Sequence, residues 1–235
     1  MRIKLKFPKL TGPLRSYYNY FFGEKEIAYI YRHLKKYKKN LIFIDIGANY
    51  GIFTFLFSKI VNQTYVVEPI KECLEYIRNG IMKENVKFIN KVASNSNKDI
   101  TLKIPIIRGT KVYGKSSISN EFENYLEINV QSFRIDELQE KVSKQEYKVI
   151  FLKIDVEGHE LEVLQGAKNL ILNNKSILLI EIEKRHNKDY LKVFELLENL
   201  GFSFYYLNEK NLATLSKASI NEVMRNNNNF VFKNY

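Results

Sequence analysis

Two clusters of polar residues, each placed directly after an apolar run, carry the chemistry that this chain could perform. The first cluster is the loop Asp45-Ile-Gly47-Ala48-Asn49-Tyr-Gly51, which follows the run Leu41-Ile-Phe-Ile44. Glycines let the backbone approach a ligand without a clash at Cβ, and a following helix N-terminus offers free N–H groups. Asn49 stands where the dinucleotide-binding pattern has its second glycine, so the loop favours a ligand without a pyrophosphate, such as S-adenosylmethionine (SAM).

An acidic residue at the end of the next predicted strand points to the same ligand. The short run 64–67 is β-branched and aromatic, and it ends in Glu68-Pro69 ahead of a predicted helix. A carboxylate at the tip of this strand can accept two hydrogen bonds from a ribose diol. The alternative is a generic turn with a solvated acid. The order and spacing of the two motifs favour SAM binding.

The second cluster is Lys153-Ile-Asp155-Val-Glu157-Gly-His159-Glu160, at the tip of another predicted strand. Asp155, Glu157 and His159 are candidates for a general base. His159 has the ordinary pKa closest to neutrality, whereas Asp155 tips the strand beside the expected ligand crevice. The alternatives are a helix cap for Asp155, a first-turn helix residue for His159 and a loop or solvent contact for Glu157. Lys153 shares a strand face with Asp155, so it could act on that carboxylate or pair with an acid on a helix, and we favour the pairing with a helix acid.

An alternation of strands and helices must position both clusters. Apolar runs predict buried strands at 41–44, 64–67, 86–90, 149–154 and 177–180, with helices between them, including one over 160–172. This pattern predicts an α/β fold with a mostly parallel sheet and helices on both faces. Ligands should then bind beyond the carboxyl ends of the strands, where Asp45, Glu68, Asp155 and Glu181 fall.

Two further segments complete the predicted domain over residues 41–235. Residues 100–104 and 125–130 predict an antiparallel β insertion before the fourth strand. The polar loop between them, which includes Ser116 to Ser119, is expected to shape an acceptor pocket with basic residues near its rim: Arg108, Lys111 and Lys115. Residues 202–207 and 230–232 predict a closing strand pair joined by an asparagine hairpin at 226–229.

Residues 1–40 form an N-terminal extension ahead of the first strand. Residues 11–22 are aromatic and read as irregular, whereas 24–37 have helical spacing. The extension could be a lid, a homodimer contact or an interfacial membrane anchor. We favour a structural or lid role, because the aromatic residues do not indicate a clean helical stripe.

Composition narrows the class of protein. The chain has 235 residues, 45% hydrophobic content and a single cysteine, Cys73, which excludes an internal disulfide and is typical of a reducing, cytoplasmic setting. No run approaches a membrane span, and the segment 1–6 has no apolar signal-peptide region. The net charge is +11, with lysine supplying 29 of 37 basic residues. These lysines are scattered, so nucleic acid is not favoured as a partner, and peripheral membrane contact stays open.

The chain resembles the FkbM family of SAM-dependent methyltransferases over roughly residues 40–185. The resemblance rests on the two SAM-type motifs, on Val92-Ala93-Ser94 and on Leu152 to Glu160. It implies a class I methyltransferase fold, Rossmann-like, whose seven-stranded sheet has an antiparallel last strand. It also implies cofactor roles: Asp45, Gly47, Asn49 and Gly51 at the methionine end of SAM, Glu68 at the ribose, and Ala93 and Ser94 near the adenine. Glu183 departs from the family, which often has histidine there, and His186 lies three residues on.

The expected function is therefore methyl transfer from SAM to a hydroxyl. Family habit favours a sugar of a surface glycan, polysaccharide or glycolipid. An RNA ribose 2′-O-methyltransferase and a methyltransferase of a small secondary metabolite are the alternatives. A Mg²⁺-assisted variant would use Asp155, Glu181 and Glu183 as ligands. Outside this class, a nicotinamide oxidoreductase is disfavoured by Asn49, and a non-catalytic SAM-binding protein remains an alternative.

Overall fold

The computed structural model of the protein describes residues 8–23, 25–38, 40–81, 83–118, 122–144, 147, 149–208 and 211–235. Ser119 of the insertion loop and the segment 1–6 lie outside these residues. The helices are α1 (Pro8–Phe22), α2 (Lys25–Leu34), α3 (Ile52–Phe57), α4 (Lys71–Gly80), α5 (Gln139–Ser143), α6 (Glu160–Gly166), α7 (Lys168–Leu172), α8 (Tyr190–Asn199) and α9 (Ile220–Val223). The strands are β1 (Leu41–Ile46), β2 (Gln63–Val67), β3 (Val86–Ile89), β4 (Val92–Ala93), β5 (Asp99–Ile107), β6 (Thr110–Lys111), β7 (Tyr125–Phe133), β8 (Val149–Ile154), β9 (Ser176–Glu181), β10 (Ser203–Asn208), β11 (Asn211–Thr214) and β12 (Asn229–Lys233).

The main sheet has the order β11-β10-β12-β9-β8-β1-β2-β3. The five strands from β3 to β9 are mutually parallel, and β12 runs antiparallel to β9 and to β10. The predicted fold class, a mostly parallel α/β sheet with an antiparallel last strand, is confirmed. The sheet differs from the expected seven strands because β10 folds back into β11, which adds an eighth strand at the edge.

The asparagine run does not form the expected hairpin. Strand β10 is followed by β11 and then α9, so residues 226–228 connect α9 to β12, and Asn229 begins that strand. The prediction failed because the short strand β11 (Asn-Leu-Ala-Thr) carries little hydrophobic pattern of its own. Pairing with β10 rather than local preference makes it a strand.

The two central strands form the buried frame of the site. Strands β1 and β8 are buried along their whole length, because a parallel sheet is covered on both faces. Phe43 and Phe151 stack across them with ring centroids 5.1 Å apart. The register places Asp45 beside Lys153. Two charged groups are therefore held side by side where both strands end.

The β insertion is confirmed as a second sheet of order β4-β7-β5-β6. The helix expected over 160–172 is instead two helices, because Ala167 leaves the helical region at φ −107°, ψ 0°. Just before this break, Gly166 lies against the backbone of Ser94, at the end of β4. Close contact between these two backbones joins α6 to the insertion.

The N-terminal segment corrects our interpretation of residues 11–22. They belong to the helix α1, which begins at Pro8, a residue suited to the first helical position. Gly12 allows the helix to approach the ring of Phe55, and the Thr11 and Tyr76 hydroxyls are 2.6 Å apart. These long-range contacts select the helix, and the local pattern does not contain them. No helix among the described residues is long and apolar enough to cross a membrane.

Gly166→Ala should test the contact between α6 and the insertion. A Cβ at residue 166 would lie 1.9 Å from the Ser94 carbonyl oxygen, so the backbones must separate. We expect the free energy of unfolding to fall by about 1–3 kcal/mol, the usual range for overpacking. Chemical denaturation measures it. Lys168→Ala, an exposed change on α7, is the control, and equal stability of the two variants would contradict the contact.

Candidate active site

The loop after β1 is shaped by two glycines with positive φ. Gly47 has φ +70°, and a Cβ there would lie 1.8 Å from the Asp155 carbonyl oxygen. Gly51 has φ +76° and precedes the first residue of α3. A side chain at Gly47 would force the loop away from the end of β8. The glycine therefore sets the approach of these two segments.

Asp45 is the buried acid at the end of this strand. Its Oδ2 accepts a hydrogen bond from Thr54 Oγ1, whereas its Oδ1 is buried without a hydrogen-bond partner among the described residues. Burial raises the pKa of Asp45, and the nearby Lys153 ammonium opposes this. An unsatisfied buried acceptor is costly and indicates a place where a ligand or water donates.

Glu68 closes the other side of the loop. Its Oε2 accepts the backbone N–H of Asn49 at 2.7 Å, and its Oε1 accepts the N–H of Ile70 at 2.9 Å. Burial raises the pKa of Glu68 to about 7, although both N–H groups favour the carboxylate. The side chain thus fixes the strand-to-helix turns after β1 and β2, and its remaining lone pairs stay available to a ligand.

These turns line a first cavity with about 610 Å³ of empty space, part of which is open to solvent. Gly47, Asn49 and Glu68 lie on one side of it. Further lining residues come from β4 and the insertion: Val92, Ala93, Tyr113, Gly114, Ser116 and Ile118. The insertion therefore covers this cavity, whereas Arg108 and Lys111 are exposed and are not among its lining residues.

His159 lies on the wall of the first cavity. Its Nε2 is 3.0 Å from Ser94 Oγ, and its Nδ1 is 3.3 Å from a Glu162 carboxylate oxygen. Burial lowers the pKa of His159, so the ring is largely neutral at pH 7. Both ring nitrogens are occupied within the protein. This arrangement favours a role in positioning Ser94 rather than in proton abstraction.

Lys153 joins the ends of β1 and β8. Its ammonium donates to the Gly47 carbonyl at 3.0 Å and to Asp155 Oδ2 at 2.9 Å. Our expectation of a helix acid as its partner was wrong, because the strand alternation places Asp155 directly beside it. Burial opposes the charge, but the carboxylates of Asp155 and Asp45 raise the pKa of Lys153 and keep it cationic.

Beyond Asp155 lies a cluster of four glutamates and a histidine around a smaller space of about 180 Å³: Glu157, Glu160, Glu181, Glu183 and His186. His186 Nδ1 is 2.5 Å from Glu157 Oε2 and 3.5 Å from Glu183 Oε2. Burial raises the pKa of Glu157 to about 7 and that of Glu181 to about 9, with Asp155 adding to both shifts. Glu157 also has the left-handed value φ +53°, a strained conformation for this residue type that is common at functional sites.

The structure does not support the predicted Mg²⁺ site at Asp155, Glu181 and Glu183. Among the described residues, no group of three or more acidic, histidine or cysteine side chains has the arrangement of a metal site. Asp155 is already paired with Lys153, and Glu183 with Arg185. Lys153 and Arg185 therefore already neutralise two of the three predicted ligands.

A second cavity of about 550 Å³ lies on the other side of Asn49 and Asp155, both of which also line the first cavity. Its walls come from the N-terminal helices, α3 and the ends of β8 and β9. They include Arg15, Ala48, Tyr50, Phe53, Lys153 and Glu181. Asp155 therefore lines both cavities and lies between them.

Sequence reasoning missed several of the lining residues. Arg15 belongs to the segment that we read as irregular, so its position beside Tyr50, 5.6 Å from the ring centroid, could not be anticipated. Tyr113 and Gly114 come from an insertion with no regular pattern. His186 was noted only for its distance from Glu183, and that spacing was the one available signal.

Solved structures with a similar fold include several methyltransferases. The methyltransferase FkbM from Methylobacillus flagellatus KT is 14% identical, with 83% of this chain and 43% of that chain covered and a TM-score of 0.48. A Streptococcus mutans protein solved in complex with S-adenosylhomocysteine (SAH) is 14% identical, with 89% of this chain and 98% of that chain covered and a TM-score of 0.48. An rRNA methylase from Streptococcus thermophilus is 11% identical, with 89% of this chain and 95% of that chain covered and a TM-score of 0.46. This chain thus spans less than half of the M. flagellatus protein.

The sheet order and the loops at its carboxyl edge define a class I methyltransferase fold. Residues 45–204, more than half of the chain, match the family described as Methyltransferase FkbM domain. The chain belongs to the FkbM family of methyltransferases, as the sequence motifs predicted. No curated protein matches it significantly.

Glu181→Gln should test the charge balance of the glutamate cluster. The pKa of Glu181 is about 9 in the folded chain, against an ordinary value of 4.5, so folding opposes its ionisation. The wild-type chain therefore loses stability as pH rises from about 4.5 towards 9, and the glutamine variant does not share this loss. We expect the variant to be more stable by about 1 kcal/mol or more at pH 8, with the difference vanishing near pH 4.

Urea unfolding at several pH values measures this difference. Glu195→Gln on the exposed face of α8 is the matched control and should show no such trend. A difference that stayed constant with pH would show that Glu181 ionises normally.

Proposed function

We propose that this protein transfers a methyl group from SAM to a hydroxyl of a sugar in a glycan, polysaccharide or glycolipid. The observation that carries the proposal is the position of Asp155 between two cavities. One cavity has the glycine loop and buried acids suited to SAM, and the other has mixed aromatic and polar walls. Methyl transfer requires two molecules to meet end to end, and Asp155 lies at that junction.

The first cavity has the donors and acceptors that SAM needs. Glu68 would accept the ribose hydroxyls, because its carboxylate lines the cavity and keeps lone pairs free beyond its two backbone bonds. Ala93 and Ser94 would flank the adenine. The loop Asp45 to Gly51 would hold the methionine end through Gly47 and Asn49, which line the cavity. Asp45 lies behind these residues, so its unsatisfied Oδ1 would accept a hydrogen bond there through a water. When bound, SAM supplies a methyl group on a positively charged sulfur.

The second cavity is suited to a polyhydroxylated acceptor. Tyr50 and Phe53 offer ring faces to the C–H groups of a sugar, while Asn49, Lys153 and Glu181 offer hydrogen bonds. A small number of precisely placed polar groups among apolar walls is typical of sites that orient a small ligand. Arg15 from α1 adds a cation at this cavity, which favours an acceptor with acidic groups.

Asp155 is our candidate for the residue that engages the acceptor hydroxyl. Lys153 fixes its carboxylate at 2.9 Å, so it can accept the hydroxyl hydrogen bond in a constant position. The proton can move on to the adjoining cluster, because the pKa of Glu157 is about 7 and His186 lies against it. In this scheme, alignment of the acceptor hydroxyl with SAM supplies most of the rate enhancement, and proton removal supplies the rest.

Glu68→Ala should test the ribose assignment. We expect the affinity for S-adenosylhomocysteine (SAH) to fall at least 30-fold, because the variant loses both the ribose acceptor and the anchor of the Asn49 turn. Isothermal titration calorimetry measures this change. Glu75→Ala, on the exposed face of α4, is the matched control. Unchanged SAH affinity in the folded Glu68 variant would falsify the assignment.

Asp155→Asn should separate binding from transfer. The amide keeps the shape of the side chain but cannot accept a proton, so kcat should fall about 10²–10⁴-fold while SAH affinity stays within about threefold. Transfer of labelled methyl from SAM to a panel of sugars, glycans, RNA and small hydroxyl compounds provides the assay. Asp189→Asn, at an exposed position ahead of α8, is the control. Retained transfer by the Asp155 variant would move the base to Glu157.

A further inference from the structure

Helix α1 presents a continuous apolar face to solvent. Leu10, Leu14, Tyr17, Tyr18 and Phe21 are between 44% and 68% exposed. At about 100° per residue, these five positions fall within an arc of about 100° on one side of the helix. The aromatic residues of the N-terminal extension thus form the helical stripe that their sequence did not indicate to us.

The opposite side of α1 is fixed against the domain. Gly12 lies against the ring of Phe55, and Ser16 is buried with its hydroxyl donating to the Gly12 carbonyl. Thr11 contacts Tyr76 of α4. These contacts fix the rotation of the helix about its axis. The apolar stripe therefore faces away from the core.

The charge around the stripe is positive. Lys9 and Arg15 lie on either side of it, and α1 carries no acidic residue. Lys59 Nζ lies 4.5 Å from the centroid of the Tyr17 ring and 3.1 Å from its hydroxyl. In the sequence, residues 1–23 contain five basic residues and no acid: Arg2, Lys4, Lys6, Lys9 and Arg15.

We propose that this face of α1 docks the protein on an anionic lipid surface. Leucine, tyrosine and phenylalanine on one face with basic residues beside them are typical of helices that lie in the membrane interface. The positive charge of the flanks matches anionic headgroups, which attract lysine and arginine near the surface. A second copy of the chain is disfavoured, because it would bring two such positive flanks together.

Docking through α1 would also bring the second cavity close to the lipid. Arg15 lies on the same helix and lines that cavity. An acceptor sugar carried on a lipid could then reach Asp155 without leaving the membrane. This last step rests on the proposed function, whereas the docking itself does not.

Vesicle co-sedimentation of the full chain tests the docking. Vesicles of phosphatidylcholine alone are compared with vesicles that contain about 30% phosphatidylglycerol, each at low and at high salt. We expect binding to the anionic vesicles only and weakening of at least tenfold at high salt. The triple variant Leu10→Gln, Leu14→Gln, Phe21→Gln should bind at least tenfold more weakly than wild type.

The control replaces three exposed apolar residues elsewhere on the surface: Ile107→Gln, Leu172→Gln and Leu191→Gln. It should bind vesicles as the wild type does. Thermal unfolding and SAH titration without vesicles check that each variant is folded, independently of the acceptor.

Three results would overturn the proposal. The first is a wild type that does not bind anionic vesicles, and the second is equal binding by the α1 variant and the control. The third is a dimer of the wild type in analytical ultracentrifugation that the α1 variant does not form. That result would assign the face to a second copy of the chain.

Discussion

The buried ammonium of Lys153 is the interaction on which the site depends. It bonds to the Gly47 carbonyl after β1 and to the carboxylate of Asp155 after β8. A charge in this position is tolerated only with partners, and the same cation offsets the buried Asp45. The two loops that separate the cavities therefore hold a fixed spacing, because any movement apart would leave charges uncompensated.

The residues on the two sides of this contact, along the carboxyl edge of the sheet, have different chemical roles. Towards β2, Glu68 uses backbone N–H groups rather than a cation to hold its place. Towards β9, Glu157, Glu181 and His186 share a space where burial keeps protons on carboxyl groups near neutral pH. A binding loop held by backbone N–H groups on one side and a proton-holding cluster on the other are both consequences of where cations and N–H groups are available.

The sequence predicted the parts of this arrangement that follow from strand order. Asp45, Glu68, Asp155 and Glu181 were placed together because parallel strands end at one edge. The partner of Lys153, the helix α1 and the added strand β11 were not predicted, since each depends on contacts between distant residues such as Gly12 and Phe55. The Mg²⁺ ligands were chosen by type and order alone, and Arg185 and Lys153 already neutralise two of them.

The measurement that tests this account most directly is a double-mutant cycle with Lys153→Met, Asp155→Asn and the double variant. Isothermal titration calorimetry gives the SAH affinity of each protein. Each group lies within bonding distance of the other, so their effects should couple. We predict that the wild type binds SAH and that Asp155→Asn stays within about threefold of it, because the amide oxygen can still accept from the Lys153 ammonium. Lys153→Met should weaken binding at least tenfold, because it leaves the Asp155 carboxylate unpaired. The double variant should lose about 1 kcal/mol less than the sum of the single losses, because it no longer carries that unpaired charge. Additive effects, or an unchanged affinity in the Lys153 variant, would contradict the claim that this ion pair assembles the site.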